Sequence, residues 1–291
     1  MTTVTEALSG KTHGDENFPV ASWLLSDHNR GPILAFYRFA RAADDVADHP
    51  TLPPDRKLAL LDNLDAALRG RGAPVPEAEP LRLALSEHDL KPTHALELLD
   101  AFRLDVRKSR YADWAELMDY CQLSAAPVGR FVLDVHGEDQ ATWPPSDALC
   151  AALQVNNHLQ DCALDYRRLN RVYLPLDILG AHGASVDMLG APSAATALRS
   201  AIAEIARRAG ELTERGERLI AEIKDVRLAV EVAAVQALAR RLARDLETRD
   251  PLSERVQFGK AGFAVVGGLG ALRFLASALV RSVRARPKAS A

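Results

Sequence analysis

Two pairs of aspartates carry the chemistry that this sequence can do. Asp44 and Asp48 lie four apart in "FARAADDVADHP", residues 39–50. Asp161 and Asp165 repeat the spacing in "NNHLQDCALD", residues 156–165. On a helix, that spacing puts both members of a pair on one face. Asn157, four before Asp161, extends the second stripe, and Gln154 lies close to it. Like charges at this spacing destabilise a helix by roughly 0.2–0.5 kcal/mol. A carboxylate near a helix C-terminus costs about 0.3–1 kcal/mol more. A solvated helix end explains the first cluster taken alone, because Arg41 sits three before Asp44 and four before Asp45. A second cluster of the same kind needs a further reason. Two acidic stripes facing each other repel unless cations lie between them. Asp and Asn are hard oxygen ligands, and Mg²⁺ takes a few carboxylates, phosphate oxygens and water. The pattern therefore predicts a helical cavity that binds Mg²⁺ and, through it, a polyphosphate.

The elements that must position these residues are helices. Of the 291 residues, 48% are apolar and only 5% aromatic. Alanine, leucine and arginine recur and β-branched runs are scarce, which favours an all-α fold. Gly31-Pro32 is expected to open a helix that ends near Asp48, with the proline in its first turn. "TLPPDRKLALLDNLDAALRG" reads as a loop and then an amphipathic helix, with Leu58, Leu61, Leu64 and Leu68 on one face. Pro80 starts a short helix, and Pro92 starts a longer one to about Arg110. The stretch 111–137 reads as helical with a break near Pro127. Ser146 is the expected N-cap of a helix to about Arg168 that carries the second stripe. "NRVYLPLDILGAHGAS" is an irregular connection with at most one short helix. Long helices over about 193–221, 225–248 and 253–284 finish the chain. No repeat or composition shift interrupts them, so residues 1–291 read as one domain, with flexible ends at 1–15 and 285–291.

Composition narrows the function classes. The net charge of −3 points to neither nucleic acid nor a membrane as partner on bulk charge. Cys121, Cys150 and Cys162 are widely spaced, as expected of buried free thiols in a reducing compartment. The N-terminus lacks the regions of a signal peptide, so a cytoplasmic protein is expected. Residues 261–280 hold a single charge, Arg273. A central arginine costs a spanning helix about 2.5–3.5 kcal/mol on insertion scales. A last core helix, or one lying on the inner membrane face as a peripheral contact, is expected there instead.

The two DxxxD motifs, "YRFARAADDVAD" and "NNHLQDCALD…NRVYLP", resemble the squalene/phytoene synthase family. The likeness runs from "ENFPVAS" at 16–22 to the last helices. "FARAADDVADHP", "SAAPVGR" and "QDCALDYRRLNRVYLP" are similar, more narrowly, to its bacterial hydroxysqualene synthase branch. The resemblance implies an all-α isoprenoid-synthase helical bundle with a central active-site cavity. Asp44, Asp48, Asn157, Asp161 and Asp165 would hold Mg²⁺ on a diphosphate. Tyr37, Arg41, Gln154, Arg171 and Tyr173 match positions near that diphosphate. Asn17 and Phe18 match the N-terminal substrate positions, and Phe18 and Tyr120 match positions lining the substrate tunnel. Asp45 is accessory. The reaction implied is the conversion of presqualene diphosphate and water to hydroxysqualene in squalene and hopanoid biosynthesis, without NADPH. Neighbouring enzymes of the squalene pathway are the protein partners it would have. The alternatives are a head-to-head prenyltransferase and a non-catalytic helical assembly subunit.

Two departures from the family pattern bear on this choice. Glu16-Asn17-Phe18 stands where a basic residue and Ser-Phe are frequent, and Gln160 stands where Arg often precedes the second motif. Both remove positive charge near a diphosphate, which suits a substrate carrying one diphosphate rather than two. Arg38, Arg167 and Arg168 are the available compensation. "VVGGLGALRF" at 265–274 lacks the third glycine of a dinucleotide loop, and too little chain follows for a βαβ unit. His158 is expected as a polar neighbour of the second stripe, His136 as a helix-end residue and Cys162 as packing. Arg207–Arg208 and Arg240–Arg241 are expected on solvated faces.

Overall fold

A computed structural model describes residues 3–7 and 26–284. Glu16, Asn17 and Phe18, most of the end at 1–15 and the tail at 285–291 lie outside the described residues. Within that first end, Thr5–Ala7 form a 3-10 turn, and Val4 and Ala7 are buried against the next helix.

The helices are α1 (Asp27–Ala47), α2 (Pro54–Leu68), α3 (Glu79–Glu87), α4 (Thr93–Arg107), α5 (Trp114–Ser124) and α6 (Ala126–Val135). They continue with α7 (Trp143–Leu169), α8 (Leu176–Ala181), α9 (Thr196–Arg215), α10 (Leu219–Glu222), α11 (Val226–Thr248) and α12 (Lys260–Arg284). Among the described residues the only β pairing is an isolated bridge, Arg110 with Val172. The all-α expectation holds, and α8 is the one short helix of the irregular connection.

Several boundaries differ from the sequence reading. α1 starts five residues before Pro32, because Ser26 caps it by accepting the Asn29 N–H at 3.3 Å. Pro32 therefore sits inside the helix, buried, near enough to the start that a single backbone bond is forgone. Ser146 is not a cap. α7 begins at Trp143, and Pro144 and Pro145 fill a first turn whose N–H groups have no partner anyway. Ser146 is instead buried against Gly129 of α6, where a Cβ would come within 2.4 Å of its Oγ. On α2 the buried residues include Leu60, Leu61, Leu64 and Leu68, with Leu58 only partly covered. The last long segment starts at Lys260 rather than 253, after an irregular stretch.

Burial follows the helical stripes. One cluster joins α1 to α2, α3 and α4 through Phe36, Phe39, Leu61, Leu64, Leu81 and Leu99. A second joins α5, α7 and α9 through residues such as Leu117, Leu159, Ile202 and Ile205. Leu133, Leu149, Leu228 and Ala239 form a third between α6, α7 and α11. Cys121 and Cys162 are buried free thiols, as expected, and Cys150 is half-buried. His136 ends α6, and Arg207, Arg208, Arg240 and Arg241 pair with Glu211, Glu204, Glu217 and Asp245.

The glycines of 265–274 lie inside α12, which packs on α11. At Gly270 a Cβ would sit 2.7 Å from the Ala233 carbonyl oxygen and 2.7 Å from the Ala237 Cβ. At Gly268 it would meet nothing within 4 Å. Gly268→Ala is therefore expected to stabilise by up to about 1 kcal/mol through helix propensity. Gly270→Ala is expected to lose more than that gain, since overpacking costs about 1–3 kcal/mol. Thermal melts and amide exchange along α12 would show opposite signs for the two variants.

Candidate active site

The C-terminal ends of α1, α4 and α7 meet with the strand-like segment after α7. α1 brings Tyr37, Arg41, Asp44 and Asp48 along one side, and the Asp48 N–H caps the helix on the Asp44 carbonyl at 2.9 Å. α7 brings Gln154, Asn157, Asp161 and Asp165. Its two asparagines divide the work: Asn156 is fully buried and donates to the Ala239 carbonyl of α11 at 3.1 Å. Asn157 stays on the acidic stripe, half-buried. Asn170 ends α7 in the left-handed region, φ 50°. The chain then runs beside 109–111, where the Val172 N–H donates to the Ser109 carbonyl at 2.9 Å. That docking buries Arg171 and Tyr173.

Arg171 is the centre of the arrangement. Its guanidinium donates to Asp48 Oδ1 at 2.8 Å and to the Tyr173 hydroxyl at 3.2 Å, and its Nε lies 3.8 Å from Asp105 Oδ1. The Asp105 carboxylate also accepts the hydroxyls of Tyr120 and Tyr173, each at 2.8 Å. His158 stacks on the Tyr173 ring with centroids 3.6 Å apart, and its Nε2 lies 3.2 Å from Gln154 Nε2. Tyr111 packs against both Tyr120 and Tyr173. Arg41 reaches Asp44 and Asp45, each at 3.1 Å, so the accessory pairing of Asp45 is present.

The charges report on one another across the helices. Burial and then the Asp48 charge hold Asp44 well above the usual carboxylate range, with Arg41 opposing them. About a third of the Asp44 side chain is nevertheless open to solvent (35% exposed). Asp165 is pushed up to about 7 by burial, then by Asp161 and Asp48. Asp48 on α1 thus disfavours charge on both stripes, as two facing clusters require. Burial raises Asp105 to about 6, against the pull of Arg171. Burial opposes the charge on Arg171, but Tyr173, Asp105 and Asp48 outweigh it and keep the guanidinium above its ordinary value. Burial, then Arg171, lowers His158 to about 3, so its ring is neutral.

Three participants are not legible as site residues in the sequence reading. Asp105 follows Leu98 and Ala101 at helical spacing, so a carboxylate on the apolar stripe of α4 was the available signal. His158, the polar neighbour of the second stripe, is buried and stacks under Tyr173. Lys57 donates to the Ala47 carbonyl at 2.8 Å and feels the Asp48 charge. With Arg107, Lys108, Asp105 and Arg171 it lines a recess of about 240 Å³. Gln160, which replaces a frequent arginine, is turned to the Val256 carbonyl and ties α7 to the segment before α12.

The donor set is of the kind that suits Mg²⁺, a hard ion that takes oxygen ligands. It is all oxygen, it is crowded enough to disfavour its own charge, and an arginine stands beside it. Among the described residues no three His, Cys, Asp or Glu side chains converge on one point. Mg²⁺ does not require that, since one or two carboxylates, water and phosphate oxygens complete its shell.

Residues 11–261 match the family model described as squalene/phytoene synthase. A hydroxysqualene synthase from Rhodopseudomonas palustris is 56% identical over 94% of this chain and 93% of its own length. Another, from Zymomonas mobilis, is 50% identical over 91% of each chain. Among solved structures, a squalene synthase from Alicyclobacillus acidocaldarius superposes with a TM-score of 0.70 at 33% identity, covering 81% of this chain and 89% of its own. A dehydrosqualene synthase superposes with a TM-score of 0.78 at 20% identity, covering 90% and 93%, a likeness of fold.

Proposed function

This chain belongs to the squalene/phytoene synthase family, and on that footing we propose that it converts presqualene diphosphate and water to hydroxysqualene and diphosphate. The observation that carries this reading is the meeting at Asp48 of both acidic stripes and Arg171. The choice of reaction within the family rests on relatives of that name at 50–56% identity over nearly the whole chain.

Asp44, Asp48, Asn157, Asp161 and Asp165 would hold Mg²⁺, which when bound supplies Lewis-acid stabilisation of a leaving diphosphate. Arg171 adds charge-assisted hydrogen bonds to the diphosphate oxygens. It exchanges its pairing with Asp48 for the substrate while Asp105 and Tyr173 keep it oriented. Arg41 plays the same part from α1, and Tyr37 and Gln154 flank the headgroup. Loss of diphosphate leaves a cyclopropylcarbinyl cation that rearranges to the 1-1' linkage and is captured by water. The Tyr120 ring would offer that cation an aromatic wall, while Tyr173 and neutral His158 stack on each other behind it. Asn17 and Phe18 are assigned to substrate binding on the family resemblance alone. The enzyme is then a carbon–oxygen lyase. We also assign the chain a single domain, a cytoplasmic location and neighbouring squalene-pathway enzymes as partners.

The test supplies Mg²⁺ and either farnesyl diphosphate or presqualene diphosphate, without NADPH, followed by mass spectrometry of the extract. Hydroxysqualene from presqualene diphosphate alone is expected. Consumption of farnesyl diphosphate would instead make the chain a head-to-head prenyltransferase, and no turnover of either would favour an assembly subunit. Metal binding has a readout of its own. Mg²⁺ with inorganic diphosphate is expected to raise Tm, by the equivalent of about 2.7 kcal/mol at a hundred times Kd. Diphosphate with EDTA should give no such rise.

A further inference from the structure

A water molecule that captures a carbocation must turn a lone pair towards it. Its O–H groups are then held by acceptors, not met by donors. Most acceptors of the site are committed. Asp105 accepts from Tyr120 and Tyr173, Asp48 accepts from Arg171, and Arg41 pairs with Asp44 and Asp45. Asn157, Asp161 and Asp165 belong to the proposed metal set. Gln154 is a neutral acceptor outside these pairings. It stands seven residues before Asp161 on the same face of α7, about 10 Å from it along the helix and towards the helix middle. A cation left behind while the acidic stripes retain the diphosphate lies on that side. Tyr120 stands there too, its ring centroid 6.0 Å from that of His158.

His158 fixes which way the Gln154 amide points. Gln154 Nε2 lies 3.2 Å from His158 Nε2. An amide nitrogen only donates, so the imidazole nitrogen accepts and carries no proton. Burial of His158, and then the Arg171 charge, favour that neutral ring. The ring is itself pinned: it is buried and stacks on Tyr173 with the two planes 15° from parallel. Tyr173 in turn is held by Asp105 and Arg171. With its nitrogen engaged, the Gln154 amide turns its carbonyl oxygen away from the imidazole, where it is left to accept from another donor. A His158 with a proton on Nε2 would reverse the amide and offer N–H groups instead, the wrong polarity for a nucleophilic water. On the reading that the product is an alcohol, we propose that Gln154 Oε1 holds the water that captures the cation, and that His158 is the positioning residue that keeps that oxygen turned to it. The water oxygen forms the new C–O bond with its lone pair. The proton shed by the resulting oxonium passes to the diphosphate released in the same turnover.

Product partition tests this, because a ratio within each turnover does not depend on the rate. Presqualene diphosphate and Mg²⁺ are given to the wild type and to His158→Phe, His158→Gln and Gln154→Met, and alcohol and hydrocarbon are measured by mass spectrometry. Phenylalanine keeps an aromatic ring against Tyr173 but loses the acceptor. The ratio of alcohol to hydrocarbon formed by proton loss is expected to fall at least about fivefold. Gln154→Met should do the same. His158→Gln, whose side chain can place an oxygen near the Nε2 position, should restore most of the ratio. A merely structural role would lower Tm and rate and leave the ratio where it was. An unchanged ratio in whichever of His158→Phe and Gln154→Met folds would overturn the proposal, and so would an equal fall in His158→Gln. A wild type that makes no alcohol would remove the reading on which the proposal rests, and the proposal with it.

Discussion

Asp44→Asn and Asp161→Asn are each expected to lower turnover by about 10²–10³-fold, the range for removing one preorganised electrostatic contact from a reacting centre. Neither should unfold the protein. The reason lies in the direction of the charges around Asp44: burial and Asp48 both disfavour its ionised form. Asparagine removes that burden and keeps the volume and one carbonyl oxygen. Asp161 likewise raises Asp165, so its neutralisation relieves the second stripe. A carboxylate kept for stability would show the opposite pattern, a fall in Tm with little change in rate. Parallel melts and single-turnover assays separate the two, and a near-normal rate in both variants would remove the metal-site argument.

Arg171→Met is expected to damage both properties. The side chain is 8% exposed and donates to Asp48 at 2.8 Å, with Asp105 at 3.8 Å. Removing one partner of a buried ion pair leaves the other charge uncompensated, a loss of about 3–5 kcal/mol. Turnover should fall as well, because the guanidinium would contact the diphosphate. Adding Asp105→Asn to Arg171→Met should return much of the stability, since the stranded charge is gone and asparagine still accepts from Tyr120 or Tyr173. It should return none of the turnover. This non-additivity in melts but not in kinetics would assign Asp105 to positioning Arg171 and the two tyrosines.

Local periodicity made most of the fold legible. The helical segments and the acidic stripes follow from spacings of three and four residues, and the break expected near Pro127 falls at Ala125, between α5 and α6. The errors came where chemistry overrode a local signal. Pro32 looked like a helix start, yet Ser26 capped the helix earlier; Ser146 looked like a cap, yet two prolines had already filled that first turn. The long-range part of the site was not readable from spacing. Arg171 and Asp48 are 123 residues apart, and Arg171 entered through the family resemblance alone. Asp105 was missed because a lone carboxylate interrupting an apolar stripe does not reveal which distant groups it faces. The stacking of His158 on Tyr173 was not legible because Tyr173 reaches it only once the segment after α7 docks beside 109–111.

The most direct measurement is product analysis after turnover of presqualene diphosphate with Mg²⁺ in ¹⁸O-labelled water, without NADPH. Capture of the cation by water predicts hydroxysqualene carrying ¹⁸O, released with diphosphate. An unlabelled alcohol, squalene as the product, or no turnover by the folded protein would contradict the account.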